Sequence, residues 1–201
     1  MKKLLFATVI LMSVMTAQAQ IVEDFESNNW QWTEFSGVQG KAYIVNGVMR
    51  LESDTKSDMP WEEVLGTVAT HSFLPMDPTK GFSITCEALV EKIDNNKLFG
   101  IMLDFVDEMN SLIFVIKEDA AYLYKIKEGK IVGRSRNQFK FSRQKKAQLD
   151  IEINYTGGEL EFRVNDIQAL FCRYVPIESN GFGFFAFGKA KVDFDNVTIK
   201  L

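Results

Sequence analysis

The segment VDFDNVTIKL, residues 192–201, has the apolar pattern of a β-strand but carries two aspartates and an asparagine near its centre. Side chains of an extended chain point alternately to opposite faces, so Val192 and Phe194 share one face. The apolar residues from position 197 onward fall on the other face. This change of phase predicts a β-bulge at Asp195–Asn196, because Asp and Asn tolerate bulge geometry and their side chains bond the backbone groups that a bulge frees.

Alternation of apolar and polar residues with a period of two recurs along nearly all of residues 20–201, whereas helical periodicity is almost absent. Only DMPWEEVLG, residues 58–66, looks helical. Turn sequences such as VNGV at 45–48 separate the predicted strands. No linker, internal repeat or low-complexity run divides residues 20–201. The pattern predicts one all-β domain over residues 20–201, built from two antiparallel sheets packed face to face.

The register of one hairpin follows from the sequence. If residues 157–158, both glycine, form a two-residue turn, Ile153 lies opposite Phe162 on the core side. One position earlier, Glu152 lies opposite Arg163 on the other side, and the two form an opposite-charge pair across the strands. A slip of one residue would expose the phenyl ring, so the pattern specifies this register.

The first nineteen residues have the organisation of a signal peptide. Lys2 and Lys3 give a positive start, LLFATVILMSVM is the apolar region, and AQA supplies small residues up to Ala19. About twelve apolar residues are too few to span a bilayer as a helix, and no cysteine follows the cleavage site to carry a lipid anchor. We expect a mature protein that begins at Gln20, is exported to the periplasm or the extracellular space, and is neither a lipoprotein nor inserted in the membrane.

Charge and cysteine content exclude several classes of function. The net charge is −4, and cleavage would remove two lysines, so there is no electrostatic case for nucleic-acid binding. Export permits a disulfide between Cys86 and Cys172, the only cysteines, but Cys86 lies in phase with apolar residues, where a free thiol also packs well. Their pairing is left open. Two cysteines and the single histidine cannot complete a closed zinc site without carboxylates.

Both ends of the predicted domain resemble a known family. VEDFESNNWQWT at 22–33 and GFGFFAFGKAKVDFDNVTIKL at 181–201 resemble the first and last strands of secreted domains of the concanavalin A-like lectin/glucanase superfamily. GFSITCEALVEK, LFGIMLDF and AQLDIEINYTGGELEFRVND extend the resemblance through the middle of the chain. It implies a jelly-roll β-sandwich whose N- and C-terminal strands lie side by side. It leaves activity open, since the fold hosts lectins, glycosidases and inert modules.

The resemblance also implies a metal site. Some jelly rolls of this kind hold a structural calcium ion near their paired ends, and here Asp24, Glu26 and Asp195 would supply its oxygen ligands. The alternative is a metal-free bulge with exposed carboxylates. No other cofactor is expected.

Catalytic patterns are weak. Retaining glycosidases of this superfamily carry Glu-x-Asp-x-x-Glu or a close variant, which this sequence lacks. Several pairs of carboxylates are two residues apart, so that spacing does not discriminate; among them are Asp150 and Glu152, Glu159 and Glu161, and Asp193 and Asp195. Asp104 would point away from Leu103 and Phe105, toward the face that forms the groove in related folds, and is the catalytic candidate if the protein is an enzyme. His71 has no nucleophile motif beside it, so no Ser-His-Asp arrangement is visible.

Aromatic side chains are the remaining functional signal, because sugar rings stack on flat side chains. Trp30 and Trp61 lie in polar, loop-like contexts, and Tyr122 and Tyr124 share one face of a predicted strand. We predict these four as ligand-binding residues, with packing in the core as the alternative for each.

Three functions follow from these observations. The first is an exported, non-catalytic, lectin-like module that binds a polysaccharide or oligosaccharide in a groove. The second is a glycoside-processing enzyme of the same fold with a divergent carboxylate site that includes Asp104. The third is a structural or protein-interaction module of the cell envelope. Converging carboxylates in a pocket would favour the enzyme, whereas a shallow groove with an exposed Trp or Tyr would favour binding.

Overall fold

The computed structural model describes residues 20–54, 68–90, 98–117, 120–138 and 147–201. The predicted signal peptide and the predicted helical segment at 58–66 lie outside these residues. Every regular element in the described part is a strand, and no helix there is long and apolar enough to cross a membrane. The all-β prediction is therefore confirmed. The strands are β1 (Gln20–Glu23), β2 (Phe35–Gly37), β3 (Gly40–Val45), β4 (Val48–Asp54), β5 (Val68–Phe73), β6 (Phe82–Val90), β7 (Leu98–Asp107), β8 (Asn110–Lys117), β9 (Ala120–Lys127), β10 (Lys130–Gln138), β11 (Ala147–Thr156), β12 (Glu159–Val164), β13 (Ile167–Cys172), β14 (Gly181–Phe187) and β15 (Lys189–Lys200).

Two antiparallel sheets form the sandwich. One has nine strands in the order β13-β12-β11-β6-β15-β4-β3-β2, with β1 paired to β15. The other has six strands in the order β10-β9-β8-β7-β14-β5. Rings from the two sheets meet in the core, where Phe114 of β8 stacks on Phe162 of β12 with centroids 4.0 Å apart. The predicted two-sheet packing is confirmed.

Two predicted pairings are present. Ile21 of β1 pairs with Ile199 of β15, so the first and last strands lie side by side. In the hairpin of β11 and β12, Ile153 pairs with Phe162. Glu152 and Arg163 also pair, with carboxylate and guanidinium 3.7 Å apart. In the hairpin, turn chemistry and hydrophobic pattern agreed, and the register follows from them. The pairing of β1 with β15 is the one that the family resemblance implied.

The predicted bulge lies in β15. Its pairing with β6 runs in register as far as Asp195, opposite Glu87, and resumes at Thr198, opposite Thr85, so β15 has one extra residue. Asn196 takes a left-handed conformation with φ 52°, and its N–H donates to the Asp195 carboxylate at 2.7 Å. The inserted residue restores the phase, so the apolar residues on both sides of the bulge face the same core: Val192, Phe194, Val197 and Ile199 are all fully buried.

A stack of aromatic rings connects the surface with the centre of the core. Trp30 lies parallel to Trp32 with ring centroids 6.5 Å apart, and Trp32 lies parallel to Phe184 at 5.2 Å. Phe184 in turn stacks on Phe194 of β15 at 4.0 Å. Trp32 is buried, whereas Trp30, at the outer end, is only half-buried. The position of Trp30 is therefore fixed from one side by the core.

The two cysteines are separate, buried thiols. Cys86 lies on β6 and Cys172 on β13, with β11 and β12 between them. Three interstrand steps of about 4.8 Å place them well beyond the Cα separation that a disulfide can bridge. Burial raises the pKa of the Cys86 thiol well above its usual range, so it packs as a small apolar side chain.

Candidate functional site

The outward faces of the two sheets differ in chemistry. On the nine-stranded sheet this face carries charged side chains, among them Arg50 and Asp193 on neighbouring strands. On the six-stranded sheet it is apolar, with the buried residues Leu98, Met102, Phe105, Ile113, Val115, Ala120, Tyr122, Tyr124, Ile126, Phe185 and Phe187. Two pockets adjoin this apolar face at its β5 edge, and we take them as the candidate site.

The segment before β2 runs along β5 and is held there by hydrogen bonds. The Thr33 N–H donates to the His71 carbonyl at 3.0 Å, and the Thr70 hydroxyl donates to the Thr33 carbonyl at 2.7 Å. The Ser72 hydroxyl donates to the Trp30 carbonyl. The segment thus extends the sheet past its edge strand and presents the Trp30 ring beside β5.

The first pocket, called here the Trp30 pocket, has a volume of about 490 Å³. One aromatic wall is Trp30, whose ring is supported from behind by Trp32. Another is Phe73, whose side chain is 55% exposed. The pocket therefore has apolar rings next to hydrogen-bonding groups. Its described lining is Asn29, Trp30, Gln31, Thr33, His71, Ser72, Phe73 and Pro75.

The second pocket, called here the Phe105 pocket, has a volume of about 420 Å³ and shares Thr33 and His71 with the first. Its floor is the apolar sheet face, and its rim carries amide, hydroxyl, imidazole and carboxylate groups. Its described lining is Thr33, Phe35, Gln39, Ala69, His71, Met102, Phe105, Glu108, Ser111, Ile113 and Ile126.

His71 forms the wall between the two pockets. Its ring lies against Phe105 with centroids 4.3 Å apart, and its Nε2 is 3.4 Å from the Thr33 hydroxyl. Burial lowers the pKa of His71 below its ordinary value, and the negative charge of Glu108 opposes this shift only in part. At neutral pH the imidazole is therefore uncharged, with one nitrogen able to donate and the other able to accept.

A glycine on β14 leaves room for the Met102 side chain beside His71. Gly183 of β14 pairs with His71 on one side and with Met102 on the other. A Cβ at this position would lie 2.6 Å from the Met102 methyl group and 2.3 Å from the Thr70 carbonyl oxygen. No side chain fits here, so the Met102 methyl group occupies the space between the neighbouring strands.

Asp104 does not line either pocket. It takes a left-handed conformation with φ 50°, within an irregular stretch of β7 between Leu103 and Asp107. Its carboxylate accepts the backbone N–H groups of Glu178 and Ser179 at 2.8 and 2.7 Å, so it holds the loop before β14.

The same irregularity corrects a sequence prediction about β7. Leu103 and Phe105 do not share a face, because the chain turns over at Asp104. Leu103 points into the core, and Phe105 points outward into the pocket.

The other predicted aromatic residues are distributed differently. Trp61 lies outside the described residues. Tyr122 and Tyr124 share the outward face of the six-stranded sheet, as predicted, but both rings are buried. The guanidinium of Arg134 lies 5.0 Å from the Tyr122 ring centroid and 5.5 Å from that of Tyr124. Of the three predicted ligand-binding residues that the structure describes, Trp30 lines one of the two pockets of the candidate site, and Tyr122 and Tyr124 line neither.

The predicted calcium ligands lie near one another at the bulge of β15. Burial raises the pKa of Asp195 above its ordinary value, and the charges of Glu87, Asp24 and Glu26 raise it further. Asp24, however, accepts the Glu26 N–H at 3.1 Å. The part of the chain that the structure describes contains no group of three or more His, Cys, Asp or Glu side chains arranged to hold a metal ion. The calcium site therefore stays a prediction.

The chain matches no protein-family model and no curated protein sequence. Its fold is similar to several solved structures. The carbohydrate binding module CBM66 from Bacillus subtilis has a TM-score of 0.61 and 14% identity, covering 85% of this chain and 95% of that one. A Bacillus licheniformis beta-glucanase has a TM-score of 0.61 and 9% identity, covering 92% and 99%. A Bacillus subtilis protein of unknown function with a galectin-like fold has a TM-score of 0.60 and 11% identity, covering 90% and 94%. These likenesses show the concanavalin A-like jelly-roll fold that the sequence resemblance implied.

Proposed function

We propose that this chain is an exported, non-catalytic domain that binds a polysaccharide or oligosaccharide at the Trp30 and Phe105 pockets. The single observation that carries the proposal is the half-buried Trp30 residue, whose ring stacks on Trp32 and which lines an open pocket. Solved structures of the same fold that are named as a carbohydrate binding module and a glucanase support the ligand class.

The chemistry of the pockets suits a sugar ring. The C–H face of a sugar ring is apolar and packs on an aromatic side chain. The equatorial hydroxyls of the sugar need hydrogen-bond donors and acceptors around the rim of the pocket. Trp30 and Phe73 supply the flat apolar surfaces. Thr33 and His71 lie where the two pockets meet and offer hydroxyl and imidazole groups to either side. Because hydrogen bonds already fix the Trp30 segment on β5, binding needs little ordering of the site.

The carboxylates support binding rather than hydrolysis. Glycoside hydrolysis generally uses two carboxyl groups that face the same glycosidic bond. In the described lining of the two pockets, Glu108 is the one carboxylate. Asp104, the residue predicted for an enzyme of this fold, instead bonds the backbone of Glu178 and Ser179.

Affinity electrophoresis of the mature protein against a panel of soluble polysaccharides, followed by calorimetry with the best ligand, tests the proposal. We expect Trp30→Ala to weaken binding about tenfold, which corresponds to about 1.4 kcal/mol of lost ring contact. Trp30→Phe should retain part of the affinity. Tyr174→Ala is the matched control, because Tyr174 is 92% exposed and lines a different pocket.

The proposal fails if folded Trp30→Ala protein binds every ligand of the panel as tightly as the wild type. Release of reducing sugar from a bound polysaccharide would instead favour the enzyme. Neither binding nor turnover across the panel would favour an interaction module of the envelope.

A further inference from the structure

Strand β10 concentrates positive charge on a chain that is acidic overall. Its sequence, KIVGRSRNQ, has three cationic residues and no carboxylate, whereas the net charge of the whole chain is −4. It is the edge strand of the six-stranded sheet, so one side of it is not covered by another strand of that sheet. Arg134 and Arg136 on this strand are both exposed. The strand therefore presents two guanidinium groups to solvent.

The two arginines are held in position by the tyrosines beneath them. Residues two apart on a strand share a face and are about 6.6 Å apart along it. Arg134 lies over Tyr122 and Tyr124, and Arg136 lies 5.7 Å from the Tyr122 ring centroid. The two rings are themselves stacked, with centroids 5.7 Å apart. Contact with an aromatic face orients a guanidinium and leaves its N–H groups able to donate to an anion.

The other arginines of the described residues have carboxylate partners. Arg50 bonds Asp193, Arg163 contacts Glu152 and Glu161, and Arg173 contacts Glu159. Within that part of the chain, Arg134 and Arg136 form no such pair. Their contacts with the Tyr122 and Tyr124 rings satisfy no N–H donor. Two oriented guanidinium groups on one face, neither of them paired with a carboxylate of the described residues, favour the binding of carboxylate or sulfate groups.

We infer that the polysaccharide recognised by this protein is anionic, and that Arg134 and Arg136 bind its carboxylate or sulfate groups. This inference rests on the proposed function and adds the ligand class. The arginines lie on the same sheet face as the Phe105 pocket: pairing runs from His71 through Gly183, Met102, Ile113 and Tyr124 to Arg134. Five interstrand steps of about 4.8 Å put Arg134 about 24 Å from His71, so a ligand that reaches from the arginines to His71 and the adjoining Trp30 pocket is a polymer rather than a single sugar.

Matched polymers test the charge. The full mature protein is titrated with dextran sulfate and dextran, and with polygalacturonate and its methyl ester. Each pair differs in the anionic group alone, and the two pairs distinguish sulfate from carboxylate. We expect at least tenfold tighter binding of one anionic polymer than of its neutral partner, with affinity that falls as salt is added. Equal affinity for the charged and neutral members of both pairs overturns the inference.

Variants test the residues. Arg134→Gln with Arg136→Gln should weaken binding of the anionic polymer at least tenfold and remove most of its salt dependence. Arg163→Gln with Arg173→Gln is the matched control, since it changes the net charge equally on the other sheet, and it should bind like the wild type. Equal loss in both double variants would show a net-charge effect and overturn the inference. If neutral polysaccharides bind and Trp30→Ala weakens that binding, while anionic polysaccharides do not bind, this inference alone is overturned. Binding that Trp30→Ala leaves unchanged contradicts the proposed function.

Discussion

Replacing Asp193 with alanine should lower the free energy of unfolding by about 3 kcal/mol, because it breaks a mostly buried ion pair between β15 and β4. Both Asp193 carboxylate oxygens accept from the Arg50 guanidinium, at 2.6 and 2.7 Å. Hydrogen bonds that involve a charged group contribute about 1.5–3 kcal/mol each. The side chain of Arg50 is 23% exposed and that of Asp193 only 8%. Partial rehydration of Arg50 keeps the loss at the lower end of the roughly 3–5 kcal/mol that breaking a fully buried pair costs.

The assay is a double-mutant cycle with Asp193→Ala, Arg50→Ala and the double variant, measured by urea unfolding monitored through tryptophan fluorescence. We expect a coupling energy of about 2 kcal/mol, an unchanged denaturant slope, and for Asp193→Ala a melting temperature about 6–12 °C lower. The control pair is Arg173 with Glu159, 3.3 Å apart but with side chains 66% and 54% exposed.

An exposed pair should couple by less than about 1 kcal/mol and lose that coupling near 1 M NaCl, whereas coupling of the buried pair should persist. If Arg50 and Asp193 couple no more strongly than the exposed pair and lose their coupling in salt, the argument from burial is wrong.

Three further predictions concern the bulge, the loop held by β7, and processing. The pKa of Asp195 is raised in the folded state, so at pH values above the ordinary Asp pKa its charged carboxylate destabilises the folded protein. Asp195→Asn should therefore raise the melting temperature at pH 7 in calcium-free buffer. The same substitution should leave the melting temperature at pH 3 unchanged. The same assay tests calcium. If Glu26 and Asp195 hold a calcium ion, the wild-type melting temperature should be higher with calcium than with EDTA, and Glu26→Gln should remove the difference. Equal wild-type melting temperatures in the two buffers leave only the metal-free bulge. Asp104→Ala should lower the free energy of unfolding by about 2 kcal/mol and speed hydrogen exchange in residues 173–180. Asp104→Asn, which keeps an acceptor, should have a small effect, and an equally small effect of Asp104→Ala would show that the carboxylate bonds contribute nothing. Mass spectrometry of exported protein should find an N-terminus at Gln20 or its cyclised form, and an intact Met1 would contradict the export prediction.

Local pattern was sufficient to predict much of the fold. The hairpin at residues 157–158 could be placed in register because turn, hydrophobic alternation and the Glu152–Arg163 pair all gave the same answer. The bulge in β15 was visible because inserting one residue changes the phase of a period-two pattern. Both features are encoded by neighbouring residues, which a single sequence displays directly.

The candidate site was less accessible to sequence analysis, because its parts meet through long-range contacts. Trp30 could be identified from its polar context, but its support by Trp32 and its place beside β5 require the sheet to be assembled. His71 looked like an ordinary strand residue, and Phe105 was placed on the wrong face because one left-handed residue, Asp104, reverses the alternation. Because β7 is buried on both faces, its sequence has no apolar–polar alternation whose phase could reveal the irregularity, although Asp is one of the residues that adopt a left-handed conformation readily.

The position of β15 has a consequence for the kinetics of folding. Residues 189–200 pair with β6 and β4, and also with β1, so the nine-stranded sheet has no continuous centre until they are in place. Pairing of strands that are far apart in sequence is slow, because the chain loses entropy in closing the loop before the contacts that compensate for this loss can form. While the chain emerges from the ribosome, β1 to β14 cannot complete this sheet. For a protein that we propose is exported, such a delay would keep the precursor unfolded, and hence competent for translocation, until β15 has been synthesised.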